Sequence, residues 1–349
     1  MTARYRLPPE WAAQSGVMLT WPRSDVEWNP DYASAERCHT SIAKEISLRE
    51  PVVITCMDAG HAERIRGYVK AAGGRMDRLH IFAFHSNDAW ARDHGPITVE
   101  KDGRLVLLDF IFNGWGEKYP HAEDNKLSKR LHAVGAFGDT PMESVELVLE
   151  GGSIEVDGEG TLLTTESCLL NKNRNPTLKR DEIEDLLRKY LGVDRILWLK
   201  HGAIDGDDTD GHIDTLARLC DPSTIAYQTC DDLNDPHHRA LKAMEEELKT
   251  LRRKDGLPYR LVSLPWPQAV IDHTGRRLPA TYANFLIVDG AVLVPTYNDP
   301  ADAGALKAIA GCFPGREIAG VPCRSLIYQY GSLHCVTMQF PRGVVPEKT

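Results

Sequence analysis

The sequence predicts an α/β fold of five similar modules that close into a propeller-like ring. Strand-like and helix-like segments alternate along all 349 residues, which is typical of α/β architecture. At five points a residue with a reactive or polar side chain precedes an apolar run, and four of these runs are followed by an Asp-Gly or Asp-Pro turn. The five points lie 57, 62, 72 and 51 residues apart, and repeats of roughly this size often form propellers.

The predicted strands and helices are short and follow one another in this alternating order. Runs rich in β-branched residues and leucine predict strands over 52–56, 79–84, 196–199, 225–229, 261–264 and 285–294. Apolar residues at helical spacing predict helices over 61–72, 179–191 and 237–251. We treat the chain as a single domain over residues 1–349.

The modules are predicted to begin at Asp93, Glu150, His212, Asn284 and Cys335. An Asp-Gly pair between two apolar runs is a strong hairpin signal. The turns that follow the first four starts are Asp102-Gly103, Asp157-Gly158, Asp221-Pro222 and Asp289-Gly290. In a ring the starts of the innermost strands meet at the axis, so these distant residues would converge. The alternative is that Asp-Gly turns are common and the spacing is accidental.

Composition and charge argue against several classes of partner. Apolar residues make up 42% of the chain and charged residues 26%, as in an ordinary globular protein. The net charge of −9 disfavours nucleic acid and anionic membranes and suits a cationic ligand. No apolar stretch approaches the length of a membrane span, and the first residues lack the apolar core of a signal peptide. We therefore expect a cytoplasmic protein, and the sequence leaves open whether it is a homo-oligomer.

One of the eight cysteines is a candidate nucleophile. The chain has no C-x-x-C pair and no zinc-ribbon spacing, so its cysteines are expected to be reduced and mostly buried. Cys335 differs because polar neighbours surround it at the start of the last module, although a buried structural cysteine is the ordinary alternative. Its neighbour His334 is predicted to point outward, because adjacent side chains of a strand face opposite ways.

His212 is the candidate acid–base residue. If residues 212–214 form a strand, His212 and Asp214 share a face and point into the same space. Histidine is suited to protonate a leaving amine and then to activate water. The acidic segment 207–214 is also compatible with a divalent metal site or a solvated loop. No second histidine stands at a spacing that completes a metal set, so catalysis without a metal is favoured.

Carboxylates and tryptophans complete the predicted site. Glu150 could orient the histidine as the third member of a Cys/His/acid arrangement, although alone it would be an ordinary turn residue. Asp93 and Asp214 together could bind a planar guanidinium through charge-assisted hydrogen bonds. Trp90 and Trp115 could form flat walls over such a cation, with core packing as the alternative for each.

Six motifs, in order along nearly the whole chain, resemble those of the agmatine deiminase family, which includes bacterial peptidylarginine deiminases and belongs to the guanidine-modifying superfamily. They are residues 90–96 (WARDHGP), 112–116 (FNGWG), 149–154 (LEGGSI), 168–176 (CLLNKNRNP), 209–214 (TDGHID) and 333–337 (LHCVT). The resemblance implies a five-bladed, pseudo-fivefold α/β propeller of ββαβ-type modules. It also implies chemistry without metal or cofactor.

The resemblance further implies a role for each candidate residue. By position, Cys335 would be the nucleophile, His212 the acid–base group, Glu150 its partner, and Asp93 with Asp214 the guanidinium ligands. The implied reaction is hydrolysis of agmatine to N-carbamoylputrescine and ammonia, a step of putrescine and polyamine synthesis. Deimination of arginine or peptidyl-arginine is the alternative, and a metallohydrolase and a non-catalytic ring-shaped binding protein are more distant ones.

Two segments depart from the usual family pattern. Ser332 stands where agmatine deiminases usually have Asn, and residues 94–97 read HGPI where many members have TGPT. The five reactive groups are intact in this chain. The departures therefore bear on the far end of the substrate, where agmatine's amine is distinguished from the amino-acid end of arginine.

Overall fold

The computed structural model describes residues 4–25, 28 and 32–347, and these residues form seventeen strands. In chain order the strands are β1 (Tyr5–Arg6), β2 (Gln14–Thr20), β3 (Val52–Cys56), β4 (Leu79–Ala83), β5 (Ile97–Lys101), β6 (Arg104–Ile111), β7 (Met142–Val148), β8 (Glu155–Val156), β9 (Thr161–Thr165), β10 (Arg195–Leu199), β11 (Ala217–Asp221), β12 (Thr224–Gln228), β13 (Arg260–Leu264), β14 (Leu286–Val288), β15 (Ala291–Thr296), β16 (Glu317–Pro322) and β17 (Thr337–Pro341).

The described residues also form long crossover helices and several short helical turns. The helices are α1 (Tyr32–Ser47), α2 (Ala59–Ala71), α3 (Ala91–His94), α4 (Gly114–Glu117), α5 (Leu127–Ala133), α6 (Glu166–Leu169), α7 (Arg180–Leu191), α8 (His238–Thr250) and α9 (Asp302–Ala310). Within the described ranges, no helix is both long enough and apolar enough to span a membrane.

The strands form five small sheets that share one pattern. In each sheet an antiparallel pair comes first, and a further strand then runs parallel to the second member of that pair. The pairs are β5–β6, β8–β9, β11–β12, β14–β15 and β17–β2, and the added parallel strands are β7, β10, β13, β16 and β3. This confirms the predicted α/β, five-bladed propeller of ββαβ-type modules.

The two ends of the chain complete the fifth sheet together. Strand β17, near the carboxyl end, pairs antiparallel with β2, near the amino end, in a register that joins Met338 to Met18. Strands β3 and β4 then extend this sheet in parallel, through crossovers that contain α1 and α2. The ring is thus closed by non-local hydrogen bonds, which the repeat pattern of the sequence alone does not reveal.

The long helices lie between neighbouring sheets. Helix α7 contacts β1, α8 contacts β10, α9 contacts both β13 and β16, and α1 contacts β16 as well as β2 and β3. Each helix presents an apolar stripe to these strands; in α8 the stripe is Leu241, Met244 and Leu248, all buried at helical spacing. The helices therefore bury the outer strands and join each blade to the next.

Local sequence explains where these elements begin and end. At Asp102-Gly103 both residues have positive φ, 50° and 79°, as the tight turn between β5 and β6 requires. The Glu182 carboxylate accepts a hydrogen bond from the Lys179 backbone N–H at the start of α7, and Gly192 ends this helix with φ of 66°. The predicted helix over 179–191 is thereby confirmed to within one residue.

Two predictions about local structure are wrong. The apolar run 285–294 is not one strand, because Asp289-Gly290 turns the chain back and separates β14 from β15. Residues Ile213–Thr215 form a 3-10 turn, so His212 and Asp214 do not lie along a strand. In both places the turn-forming residues outweigh the apolar neighbours that suggested extended structure.

The five predicted module starts all lie just ahead of the first strand of a sheet. Asp93 precedes β5, Glu150 precedes β8, His212 precedes β11, Asn284 precedes β14 and Cys335 precedes β17. Their side chains are at most 5% exposed. The ring therefore brings five segments from the whole length of the chain to one buried place.

Candidate active site

The thiol of Cys335 lies between the amide of Asn284 and the carboxylate of Asp214. Its Sγ is 3.3 Å from Asn284 Nδ2 and 3.9 Å from Asp214 Oδ2. Burial, together with the negative charges of Asp214 and Asp93, raises the pKa of this thiol well above its usual value. A cation placed between sulfur and carboxylates would act in the opposite direction and favour the thiolate.

Asp93 is a buried carboxylate held by two donors. Its Oδ2 accepts a hydrogen bond from Trp115 Nε1 at 2.9 Å, and its Oδ1 accepts one from the Gly152 N–H at 3.1 Å. Burial raises the pKa of Asp93 well above its ordinary value, and the negative charges of Asp214 and Glu150 raise it further. Two buried carboxylates facing one space form a site that a cation would stabilise.

Asp214 has one oxygen engaged and one available. Its Oδ2 bonds His334 Nδ1 at 2.8 Å, whereas Oδ1 is buried without a hydrogen-bond partner in the described part of the chain. Burial raises the pKa of Asp214, but the hydrogen bond and positive charge of His334 outweigh it, so the pKa is lowered overall. Asp214 therefore presents an ionised oxygen that can accept a further hydrogen bond.

His212 is a fully buried, neutral imidazole. Its Nδ1 lies 3.6 Å from Asp93 Oδ1, and neither ring nitrogen makes a hydrogen bond with the residues the structure describes. Burial lowers the pKa of His212 to about 3. Gly152 leaves room for this ring, since a Cβ at that position would lie 2.6 Å from His212 Nδ1. Both nitrogens are thus free to exchange a proton with a bound reactant.

Glu150 lies beside His212 but is paired with an arginine. Its Oε1 accepts a hydrogen bond from Arg174 Nε at 3.0 Å, and both side chains are fully buried. A Glu150 oxygen, the Cys168 sulfur and a His212 ring nitrogen lie within 4.8 Å of one another. The predicted partnership of Glu150 with the histidine is compatible with this proximity, although the hydrogen bond observed is with Arg174.

The two tryptophans line a narrow cavity that leads to Cys335. Trp90 packs so closely on Gly331 that a Cβ there would lie 2.2 Å from the indole ring. Trp115 borders the same cavity while donating its hydrogen bond to Asp93. Both indoles are therefore placed to cover an elongated ligand, and Trp115 also fixes a carboxylate, which the sequence did not suggest.

The cavity is bordered by four aspartates. Aspartates line it from the thiol outward, and no lysine, arginine or histidine lies among the described residues that border it: the acids are Asp88, Asp93, Asp207 and Asp208. Burial raises the pKa of Asp88 and that of Asp208 to about 6, so both are mostly ionised at neutral pH. Such a cavity favours a ligand with positive charge along its length.

Several neighbours of the thiol were missed or misjudged from sequence. The prediction that His334 points outward is wrong, because this ring is buried and bonds Asp214. Residue 334 lies in the turn before β17, so strand alternation does not apply to it. Asn284 appeared only as a module start, and Arg174 only within a motif. Arg174 stands in the run NRNP, whose asparagine side chains commonly hydrogen-bond to backbone groups. This was a usable signal for a structural role of the segment.

Two groups of three potential metal ligands occur in the described residues: Glu150, Cys168 and His212; and Glu10, Glu155 and His334. In each group an arginine already pairs with the carboxylates, Arg174 with Glu150 and Arg218 with both Glu10 and Glu155. The first group shares only His212 with the acidic segment 207–214 that suggested a metal from sequence, and the second shares no residue with it. The arginines supply the positive charge that an ion would otherwise bring.

Five blades around an axis, with a thiol, an imidazole and paired carboxylates at its centre, define the guanidine-modifying class of proteins. The sequence profile of the Porphyromonas-type peptidyl-arginine deiminase family matches residues 6–341. An agmatine deiminase of Stutzerimonas stutzeri is 35% identical over 98% of this chain and 96% of its own.

Solved structures agree with these sequence matches. A putative arginine deiminase from Porphyromonas gingivalis is 50% identical, with a TM-score of 0.93 over 98% of this chain and 100% of its own. An agmatine deiminase from C. jejuni with substrate bound is 36% identical, with a TM-score of 0.90 over 98% of both chains. The chain therefore belongs to the Porphyromonas-type peptidyl-arginine deiminase family, alongside the agmatine deiminases.

Proposed function

We propose that the protein hydrolyses agmatine to N-carbamoylputrescine and ammonia through a covalent intermediate on Cys335. The observation that carries this proposal is the thiol at the inner end of a cavity bordered by aspartates. Agmatine has a guanidinium at one end and an ammonium at the other, which matches a cavity with acids along its length. The relatives of this protein in S. stutzeri and C. jejuni are named agmatine deiminases.

In the proposed complex, Asp93 and Asp214 hold the guanidinium. Their available oxygens accept its N–H groups, and the planar cation faces Cys335 Sγ with its central carbon. The indoles of Trp90 and Trp115 cover the methylene chain, and the distal ammonium lies toward Asp208. The ligand's positive charge lowers the pKa of the thiol, which burial and the negative charges of the carboxylates hold high in the free protein.

The first chemical step forms a carbon–sulfur bond. The Cys335 thiol gives its proton to neutral His212, and the thiolate adds to the guanidinium carbon to form a tetrahedral adduct. His212 then passes this proton to the departing nitrogen, the carbon–nitrogen bond breaks and ammonia leaves. A thiouronium intermediate remains on Cys335, and His212 is neutral again.

The second step replaces sulfur with oxygen. His212 takes a proton from water, whose oxygen attacks the intermediate, and the carbon–sulfur bond of the resulting adduct then breaks. The hydroxyl group of the adduct loses its proton to solvent as its oxygen becomes the carbonyl of the ureido product. The sulfur leaves as a thiolate and recovers its proton from His212. Glu150, held by Arg174, keeps a negative charge near the imidazole while it is protonated, which stabilises that state.

The alternative substrates, arginine and peptidyl-arginine, differ at the far end. Free arginine carries a carboxylate there, which would meet Asp207 and Asp208 with no basic side chain among the described cavity residues to offset it. We therefore expect agmatine to be turned over at least about 100-fold more efficiently than arginine or a peptide with carboxyl-terminal arginine. Measuring ammonia and ureido product from each substrate decides this, and a preference for either arginine compound would refute the proposal.

Replacing Cys335 tests the covalent mechanism. The Cys335→Ala protein should bind agmatine but release no ammonia, whereas Cys56→Ala, a change of a buried cysteine in β3, should keep full activity. Mass spectrometry of the quenched wild-type protein should detect an adduct on the peptide that contains residue 335. Wild-type activity that disappears after exhaustive chelation would instead support a metallohydrolase.

A further inference from the structure

The imidazole of His334 connects two carboxylates inside the ring. Its Nδ1 lies 2.8 Å from Asp214 Oδ2, and its Nε2 lies 2.8 Å from Glu10 Oε2. Ionised carboxylate oxygens only accept hydrogen bonds, so each ring nitrogen must carry a hydrogen and the ring is positively charged. The ring is almost completely buried. It is thus the direct partner of the carboxylate that faces the thiol.

Glu10 is itself held firmly on the other side of this ring. Its Oε2 also pairs with Arg218 Nη2 at 2.7 Å, and its Oε1 accepts a hydrogen bond from the Ile287 N–H at 2.7 Å. Arg218 in turn pairs with Glu155, another buried carboxylate. These contacts come from the amino-terminal segment and from three different blades. A displacement of Glu10 would therefore break several buried charged hydrogen bonds together.

The backbone of His334 is fixed as well. Its N–H donates to Asn284 Oδ1 at 2.8 Å, and its carbonyl accepts a hydrogen bond from Arg92 Nε at 3.4 Å. With the main chain and both ring nitrogens engaged, the imidazole cannot rotate without losing charged partners. The Asp214 carboxylate bonded to it is consequently held with Oδ2 hydrogen-bonded to the ring, while Oδ1 has no hydrogen-bond partner among the described residues.

We propose that His334 is a positioning residue, which fixes and keeps ionised the Asp214 carboxylate so that its free oxygen can bind the guanidinium. This inference rests on the proposed function. His334 does not touch the substrate; it acts through Asp214. The charged groups that face or surround its ring are Asp214, Glu10, Glu155, Arg218 and Arg92. Without the ring, Asp214 would still be buried near the negative charge of Asp93, but it would lack its main positive partner.

Two substitutions separate positioning from simple structural support. Asn places a side-chain N–H close to the position of Nδ1 and can still bond Asp214, whereas Ala cannot. His334→Ala should weaken agmatine binding about 10- to 100-fold, and His334→Asn by less than about 3-fold. His334 also borders a second cavity, so water can enter the space that Ala leaves. His39→Ala, which removes a buried histidine bonded only to its own helix in the described residues, is the control and should leave binding unchanged.

Agmatine binding is measured by calorimetry in the Cys335→Ala background. KM, kcat and their pH profiles are measured in proteins that retain the thiol. The Ala variant should raise KM more than it lowers kcat, and the acid limb of kcat/KM should move to higher pH because Asp214 becomes easier to protonate. Equal binding by the Ala and Asn variants, or an unchanged acid limb, would overturn the proposal.

The outcomes also distinguish this proposal from the proposed function. If the wild type releases no ammonia but Cys335→Ala binds agmatine, the proposed function fails while the binding comparison still decides the role of His334. If Cys335→Ala does not bind agmatine, both are overturned.

Discussion

The carboxylates beside Cys335 differ in how the protein controls their charge. Asp214 has an adjacent positive ring, so its pKa is lowered despite complete burial. Asp93 has only neutral donors, Trp115 and the Gly152 N–H, and its pKa is raised. The protein itself therefore favours the ionised form of Asp214, whereas Asp93 is ionised most favourably when a cation binds beside it. This asymmetry couples ligand binding to the ionisation of Asp93.

Gly152 tests how tightly His212 and Asp93 are placed. A Cβ there would lie 2.6 Å from His212 Nδ1 and 2.9 Å from Asp93 Oδ1, so Gly152→Ala must move one of these side chains. We expect activity on agmatine to fall at least about 100-fold, because displacements near 1 Å have costs of that size in active sites. Steady-state kinetics measures this effect.

A matched glycine provides the control for this substitution. Gly67 lies within α2, and a Cβ there would meet no atom within 4 Å. Gly67→Ala should leave kinetics unchanged and stabilise the protein by about 1 kcal/mol. Wild-type kinetics in Gly152→Ala would show that the space around His212 is not needed as described.

The candidate site residues were chosen where chemistry and turns coincide, and their roles stay predictions. Cys335, His212, Asp93 and Asp214 were chosen because each stands next to a turn that enters a module, and the structure brings these side chains together. The direction of the His334 side chain was predicted wrongly because the alternation of a strand was assumed at residue 334, whereas β17 begins only at Thr337. The ring of His334 is hydrogen-bonded to Asp214 and to Glu10, which lie 120 and 324 positions away in the chain, and no local pattern contains these partners.

Among the connecting segments, the loop 171–176 positions the segment that carries His212. Arg174 donates to Glu150 and Asp210 through its guanidinium, and its Nη2 donates to the Thr209 carbonyl at 2.8 Å. The Thr209 hydroxyl in turn accepts a hydrogen bond from the His212 N–H at 3.0 Å. This one side chain therefore ties the loop to the segment that carries His212.

Arg174→Lys tests this connection. Lysine keeps the charge but cannot form the planar, branched set of hydrogen bonds, so buried acceptors lose their partners. We expect the free energy of unfolding to fall by about 3 kcal/mol and kcat/KM on agmatine to fall at least about 10-fold. Arg180→Lys is the control, since Arg180 pairs with Glu166 at the surface and should change stability by less than about 1 kcal/mol. Equal effects of the two substitutions would contradict the role of the loop.

The elements themselves were predictable to different degrees. The hairpins follow from turn residues that tolerate positive φ: both residues have it at Asp102-Gly103, and Gly290 has it at Asp289-Gly290. Helices such as α7 follow from apolar spacing and end signals. The single-turn helices α3, α4 and α6 were not foreseen, because four residues contain no period; in α4, Trp115 and Gly116 even have positive φ. Their shapes depend on the ring around them.

At the scale of the whole molecule, the repeat of module starts predicted the ring, but not how it closes. The pairing of β17 with β2 joins residues more than three hundred positions apart, and sequence periodicity does not carry such pairing. Closure matters for the site, because it positions Cys335 at the start of β17 and brings the amino-terminal segment with Glu10 behind it. The fold and the site are therefore completed by the same contacts.

The accumulation of acids at the ring axis predicts how binding depends on pH. Burial raises the pKa of Asp88 and of Asp208 to about 6, and raises that of Asp93 well above its usual value. A carboxyl group with a raised pKa must lose its proton when a cation binds beside it, so binding weakens as the pH falls through that pKa. The same groups make the free protein less stable as the pH rises from about 4 to 6, because the folded state holds protons that the unfolded state has lost.

We therefore expect the Kd of agmatine for the Cys335→Ala protein to rise by up to about 10-fold per pH unit below pH 6, for each proton released. Calorimetry in buffers with different ionisation enthalpies measures both Kd and the protons released. Asp208→Asn should reduce this dependence, whereas Asp77→Asn, a change in an exposed surface pair with Arg75, should not. A Kd that stays constant between pH 5 and pH 8 would mean that the aspartates of the cavity do not titrate with ligand binding, and that cation trapping by these acids is not the basis of recognition.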